Sequence, residues 1–474
     1  MSKQKAALQT QWENLIKHAL AVWTVNAEDT NSLGSLSVVR ERMKSGNLHA
    51  AINLLLEDAL IRLQERSPQY AQLLRLRFHD KEQVHIVANK LNLADSSIYR
   101  KQREALQALT EIVMEMESTA RAEIITNFEA RLEPPTYLDL VGVDAHLHKL
   151  AEIVPSDESR WIVSVEGMGG AGKTALTDAL MRRLIRQTNA YAFAWVTARQ
   201  AAGLGGGFQT AGAFELSTND ILLSLVSQLW GEAPGRPSSP SEALHALEYK
   251  LKTTPHIVVI DNLETIADVE NLLPVVRRLA KPSRFLLTSR QSLFAETDVY
   301  HYPLPPLSLE DSIALVRREA HNENLTDISQ LSEAELAQIF AVVGGNPLAL
   351  LLVVGQCHFR PLATVLADFL EARGYRTEQL YAHIYWKIWA NLDDLSRRIL
   401  LAMQLVPPKG ENQEYIVAVT GLDREAVMNG MDKLMILNLV NCQREKQHYR
   451  YSIHSLTRSF LHQQAVKWLT ESLP

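Results

Sequence analysis

The stretch that most constrains this chain is WIVSVEGMGGAGKTALTDALMRRL, Trp161 to Leu184. A short apolar run leads into a Gly-rich turn, then Lys-Thr, then a helix-like segment. Within it GMGGAGKT, Gly167 to Thr174, fills every fixed position of the G-x-x-x-x-G-K-[ST] pattern. It also stands in the required context, after a strand and opening a helix. The glycines let the backbone curl so that successive N–H groups point at phosphate oxygens, and the helix N-terminus adds its positive end. Gly167, Gly169, Gly170, Ala171, Gly172 and Ala175 are therefore the expected cradle. Lys173 reaches terminal phosphates there, and the Thr174 hydroxyl is placed to hold Mg²⁺.

A second element lies downstream. HIVVIDNLE, His256 to Glu264, reads as a buried strand with Asp261 at its C-terminal end, where ligands bind in open α/β sheets. A carboxylate there orients Mg²⁺ or its water shell. RFLLTSR is another strand ending in a cation, and Arg290 is placed to bind a terminal phosphate. With WIVSVE and AYAFAWVTA these make four strands, each followed by a helix-like stretch. The alternation predicts a parallel sheet with crossover helices over 138–302. AAGLGGGFQTAGA has no Lys-Ser/Thr after its glycines and reads as a surface loop, not a second cradle.

The chain has 474 residues, room for roughly three domains at about 150 residues each. A formal charge of −6 argues against coating nucleic acid or membrane by bulk electrostatics, so any such binding needs a local patch. Cys357 and Cys442 are too few for a disulfide framework and suit a reducing cytosol. The first residues lack the apolar core of a signal peptide. IFAVVGGNPLALLLVVGQC is long enough to span a membrane, but Gly344 to Pro347 interrupt it. The remaining runs have buried-helix length, so no membrane partner is expected.

Residues 1–130 hold little Gly or Pro, and apolar residues recur at three- and four-residue spacing in AAINLLLEDALIRLQE and REALQALTEIVMEME. This predicts an all-α domain, ended by the paired prolines of RLEPPTYLDL. Helices return over 303–375. Over 376–474, helices precede two short apolar stretches separated by a charged turn, the order of a winged helix.

Within the N-terminal part, residues 75–109 resemble the helix-turn-helix of sigma-factor region 4. Val87, Ala88, Leu91, Leu93 and Ile98 fall where such a motif packs its helices, and Asp95 or Ser96 is positioned to cap the second helix. That helix would present Ser97, Tyr99, Arg100, Gln102 and Arg103 to a major groove of duplex DNA. Two features depart from the pattern: Asn92 stands where Gly is usual, and Lys101 occupies a normally apolar position. A helical bundle that binds another protein is the other reading of the same residues.

GMGGAGKTAL, VVIDNLE, FLLTSR, GGNPLAL and YSIHSL occur in the order and spacing of NB-ARC ATPases, part of the STAND class of signal-transducing NTPases. LVGVDAHLHKL is similar to the short motif that precedes the phosphate loop in that family. The resemblance implies a P-loop NTPase core, a small helical domain and a winged helix that close over ADP. It places Val141 and Gly142 beside the nucleotide and Pro347 near the adenine, gives Arg290 the γ-phosphate, and sets His454 against the phosphates of bound ADP. It implies ATP/ADP and Mg as ligands, self-association in the ATP state, and a protein partner supplying the signal.

Three positions differ from the family: Val143 replaces a usual Arg, Ser455 replaces the Asp after His454, and Asn262 replaces an acid after Asp261. Asn262 takes no proton, so Lys173, Asp261 and Glu264 are the remaining catalytic candidates and slow hydrolysis, or none, is expected. The function so implied is an ATP/ADP switch that regulates transcription by binding DNA. The alternatives are a signalling or defence scaffold whose N-terminal helices recruit an effector, and an ATPase that remodels a partner.

Overall fold

A computed structural model describes the chain apart from residues 1, 24–32, 44–47, 133–134, 136, 138, 157–159, 189–190, 199–216, 232–234, 264–265, 372–384, 387, 408–409, 446–447, 455–456, 459 and 462–474. The structure divides into two compact units, one of Met1–Ala130 with Gln187–Ala190 and one of Arg131–Arg186 with Tyr191–Pro474.

The first unit is all helix: α1 (Ser2–Ala21), α2 (Ser37–Arg42), α3 (Leu48–Arg66), α4 (Pro68–Leu74), α5 (Val84–Leu91) and α6 (Asp95–Glu129). A single π-type turn, Arg75–His79, continues α4. α3 buries Ile52, Leu55, Leu56, Ala59, Leu60 and Leu63, the stripe that its three- and four-residue spacing demands. α6 faces it with Leu109, Ile112, Val113 and Met116. A buried carboxylate interrupts that apolar face for a reason. Glu117 accepts from the backbone nitrogens of Ser37 at 3.1 Å and Val38 at 2.9 Å. These are orphan donors at the start of α2, whose N-cap residue, Leu36, offers no acceptor.

α5 and α6 stand where the sequence predicts two helices joined by a tight turn. Val87, Ala88 and Ile98 are buried, with Leu91 and Leu93 partly so. Asn92 ends α5 at φ 52°, ψ 48°, a left-handed conformation that Asn adopts more readily than other non-Gly residues; this is how the turn forms without glycine. One expectation is corrected. α6 begins at Asp95, so the N-cap is Ala94, which has no side-chain acceptor. Asp95 instead lies in the first turn, where its charge suits the positive helix end.

The second unit is built on a five-stranded parallel sheet in the order β2-β3-β4-β1-β5. Its strands are β1 (Ile162–Glu166), β2 (Ala192–Thr197), β3 (His256–Leu263), β4 (Arg284–Ser289) and β5 (Val299–Pro303). Every residue of β1 and of β4 is buried, as expected of central parallel strands covered on both faces. The preceding helix α7 (Asp144–Ile153) and the crossover helices α8 (Lys173–Gln187), α9 (Thr218–Trp230), α10 (Pro240–Thr253) and α11 (Ile266–Leu279) supply the cover. β5 adds a strand to the four expected and pairs in parallel with β1, Ile162 opposite Val299.

Helices α12 (Leu309–Asn322), α13 (Thr326–Ser329), α14 (Glu333–Val343), α15 (Pro347–Gln356) and α16 (Leu362–Glu371) follow. Three more, Asp394–Ala402, Gln413–Thr420 and Arg424–Ile436, precede an antiparallel hairpin of β6 (Asn441–Glu445) and β7 (His448–Ser452). One continuous apolar core runs from Leu315 to Leu461. The segment interrupted by Gly344 to Pro347 belongs to the α14–α15 pair, bent by 118°, of which α15 is buried over most of its length, and no single helix among the described residues is long and apolar enough to cross a membrane.

Candidate functional site

The turn between β1 and α8 carries the phosphate-loop pattern. Gly170 adopts φ +72°, and a Cβ there would stand 2.8 Å from the Leu348 Cβ and 3.0 Å from the Asn346 Oδ1; only glycine permits both the conformation and the approach. The segment that presses on it, Gly345 to Leu348, is itself tightly seated. A Cβ on Gly345 would fall 2.0 Å from the Leu307 carbonyl oxygen. Asn346 joins the two. Its Oδ1 accepts from the nitrogens of Leu348 and Ala349, capping α15, and its Nδ2 donates to the Gly169 carbonyl at 2.9 Å. Pro347 follows at the first helical position, where its missing N–H costs nothing.

Lys173 opens α8 and donates from Nζ to the carbonyls of Gly167 at 2.6 Å and Met168 at 2.9 Å. The next residue, Thr174, donates from Oγ1 to both carboxylate oxygens of Asp261, at 3.0 and 3.2 Å. Asp261 is buried, and burial pushes its carboxyl above the usual range against the opposing pull of the Thr288 and Thr174 hydroxyls and of Lys173. Thr288 on β4 donates to Asp261 Oδ1 at 2.5 Å and accepts from the Asn262 nitrogen at 2.7 Å. Asn262 sits at φ 71° in the register shift of β3. The residue that stands where an acid is usual thus occupies a left-handed bulge that aims Asp261 at the loop.

The oxygen set here, one carboxylate and one hydroxyl, fits Mg²⁺, which keeps several waters and takes one or two protein ligands beside phosphate oxygens. Among the described residues there is no group of three or more His, Cys, Asp or Glu able to hold a metal alone.

Beside the loop lies a cavity of about 350 Å³. Of the sequence candidates, Val141, Gly142, Gly170, Ala171, Gly172, Ala175, Pro347 and His454 line it. His454 comes from the chain just after β7, so the C-terminal part of the second unit reaches this site through that residue. Burial, followed by the charges of Arg290 and Lys173, pushes the His454 imidazole down to about 4. It is neutral at physiological pH, and three nitrogen-bearing side chains converge on the same region. Arg290 follows β4 and donates its backbone N–H to the Leu263 carbonyl at 3.1 Å. Glu264 lies outside the described residues.

Several contributors carry little local signal in the sequence. Thr288 stands beside Arg290 in the TSR triplet, and its role follows only from the pairing of β3 with β4. Glu166, at the end of β1, is buried and accepts from the Leu293 nitrogen and Ser292 hydroxyl at 2.9 Å, and from His301 Nδ1 at 3.0 Å. It thereby fixes the segment after Arg290 against the phosphate loop. Tyr137, Asp311 and Arg318 also line the cavity, and nothing in their local sequence marks them.

The N-terminal candidates form a separate group. Tyr99, Arg100 and Arg103 are exposed, while Ser97 and Gln102 are half-buried. Gln102 Oε1 accepts from Arg77 Nε at 3.3 Å, and Arg100 lies 3.9 Å from Glu104. Lys101, on the normally apolar position, is half-buried.

A sequence profile of the NB-ARC domain matches residues 143–325. Similar curated proteins include the ToMV susceptible protein tm-2 of Solanum lycopersicum, 23% identical over 352 residues and covering 68% of this chain and 38% of that protein. The disease resistance-like protein DSC1 of Arabidopsis thaliana is 24% identical over 224 residues, 46% of this chain and 17% of its own length. The chain thus spans less than half the length of these relatives. Among solved structures, a Signal Transduction ATPase with Numerous Domains (STAND) protein with a tetratricopeptide repeat sensor from Pyrococcus horikoshii aligns with a TM-score of 0.43 and 16% identity, covering 72% of this chain and 47% of that one.

Proposed function

The chain carries an NB-ARC domain over residues 143–325, and from that premise we propose that it is a STAND-type switch governed by ATP and ADP. The observation that carries this reading is the convergence of the phosphate loop, Pro347 and His454 on one cavity. Those residues belong to three different parts of the second unit, so a ligand there reports on all three together.

In the ADP state the backbone nitrogens from Gly170 to Ala175 receive the phosphates, and Lys173 exchanges its two loop carbonyls for phosphate oxygens. Val141, Gly142 and Pro347 hold the adenine end. Neutral His454 donates one hydrogen bond to a phosphate and so ties the C-terminal segment down. Thr174 and Asp261 hold Mg²⁺, which offsets phosphate charge when bound. ATP adds a γ-phosphate beside Arg290, and the switch turns on the difference between these two sets of contacts. Lys173, Asp261 and Glu264 are the candidate groups for hydrolysis. With Asn262 unable to act as a base, turnover is slow.

Residues 303–375 act as the helical domain and 376–474 as a winged helix. Opening them favours self-association and changes how the N-terminal helices are presented. The relatives are named for virus susceptibility and disease resistance, which supports a signalling or defence output; a partner chain as the source of the signal is part of the same proposal. The exposed Tyr99, Arg100 and Arg103 favour a second output, duplex DNA.

The test is hydrogen–deuterium exchange on the full chain with ADP and then with a non-hydrolysable ATP analogue. Backbone amides of β6, β7 and the segment up to Leu461 should exchange more slowly with ADP, and His454→Ala should abolish the difference. Equal exchange in both nucleotide states of the wild type would remove the switch.

A further inference from the structure

The cavity has a wall that the phosphate loop does not make. α12 contributes Asp311, Leu315 and Arg318 to it, and α15 contributes Leu348 and Leu351. Positions 311, 315 and 318 lie on one helix face by their spacing.

Asp311 is already engaged: it accepts from the Ser308 hydroxyl at 2.6 Å within the cap of α12, and a Cβ on Gly142 would stand 2.9 Å from its Oδ2. Arg318 is different. It is half-buried and, among the described residues, makes no hydrogen bond or ion pair, whereas its neighbour Arg317 lies 3.9 Å from Glu333. The charge of Arg318 reaches Glu319 only through space. Its companions on this wall, Leu315, Leu348 and Leu351, are aliphatic. A partly desolvated guanidinium needs acceptors, and its planar fork suits those on the edge of a ring or on a sugar. Aliphatic walls with one oriented polar group are how flat ligands are held.

We propose that Arg318 is the specificity-determining contact for the nucleoside half of the bound nucleotide, donating hydrogen bonds to acceptors of the ribose or base. The inference rests on the nucleotide reading above. With the phosphates on Gly170 to Ala175, only sugar and base remain to meet the α12 wall.

Calorimetric titration of the full chain with Mg²⁺ and either ADP or inorganic pyrophosphate tests it, since pyrophosphate lacks the nucleoside. Arg318→Ala should weaken ADP binding about tenfold or more, the range for a charge-assisted hydrogen bond, and leave pyrophosphate binding unchanged. Arg318→Lys should recover part of the loss. Unchanged ADP affinity in Arg318→Ala overturns the proposal. So does an equal loss for both ligands, because it marks a distorted site rather than a lost nucleoside contact. Wild-type protein that binds neither ligand sinks the nucleotide reading itself and this contact with it. With 2′-deoxy-ADP, a vanished Arg318→Ala penalty assigns the contact to the 2′-hydroxyl, and a retained penalty assigns it to the base or the rest of the sugar.

Discussion

Asn346→Ala should remove two interactions at once, and their sizes can be worked out separately. The first is the cap of α15, two backbone donors held by Oδ1; losing such a cap costs about 1 kcal/mol. The second is the bond from Nδ2 to the Gly169 carbonyl, about 1 kcal/mol for a neutral hydrogen bond at a partly buried site. The expected loss is about 2 kcal/mol of stability in the second unit. Asn346→Asp keeps the cap acceptor but sets a carboxylate oxygen against the Gly169 carbonyl. It should therefore lose the tie and weaken ADP binding while α15 stays capped. Urea unfolding followed by tryptophan fluorescence is the assay. Six of the eight tryptophans lie in the second unit, so the signal reports mainly on it. An unchanged midpoint for Asn346→Ala would refute the reasoning, as would ADP affinity unaltered in both variants.

Other expectations follow from particular groups. Because the folded His454 titrates near 4 and a free imidazole near 6.5, the unfolded chain binds the extra proton between those values. Stability should therefore fall as pH drops through that window, by at most about 2 kcal/mol between pH 7 and 5 from this group; His454→Gln should flatten the slope in urea titrations. Glu117→Ala should destabilise the N-terminal unit by about 1–3 kcal/mol, since two buried backbone donors of α2 lose their acceptor; circular dichroism during urea unfolding would register it. If the N-terminal unit reads DNA, Arg100→Ala with Arg103→Ala should weaken duplex binding and reduce its salt dependence. Fluorescence anisotropy across a salt series measures both, and wild-type protein that shows no binding at low salt leaves protein contacts as the output.

The phosphate loop and its partner strand were legible because their chemistry leaves few options: glycines before Lys-Thr, and an acid ending a buried apolar run. The α5–α6 turn was legible for a similar reason, since apolar residues must pack wherever two helices meet across a tight turn. What stayed hidden depends on long-range approach. β5 reads VYHYP, too short and too polar to stand out, and becomes a strand only because β1 offers an open edge. The strand order was not readable from apolar runs alone. Asn262 looked like a lost acid, yet its left-handed bulge and the Thr288 hydroxyl explain it once β3 and β4 are paired. Asn346 was visible inside GGNPLAL, but that its amide clasps Gly169, a residue 177 positions away, follows only from the fold. Arg318 carries no local signal because its role depends on the wall opposite it.

The most direct test of the central claim is calorimetric titration of ADP with Mg²⁺ into the full chain and into Lys173→Ala. Saturable one-to-one binding by the wild type, lost or weakened by at least tenfold in a Lys173→Ala variant that still unfolds cooperatively, is the predicted result. Equal affinity in both proteins would contradict the account.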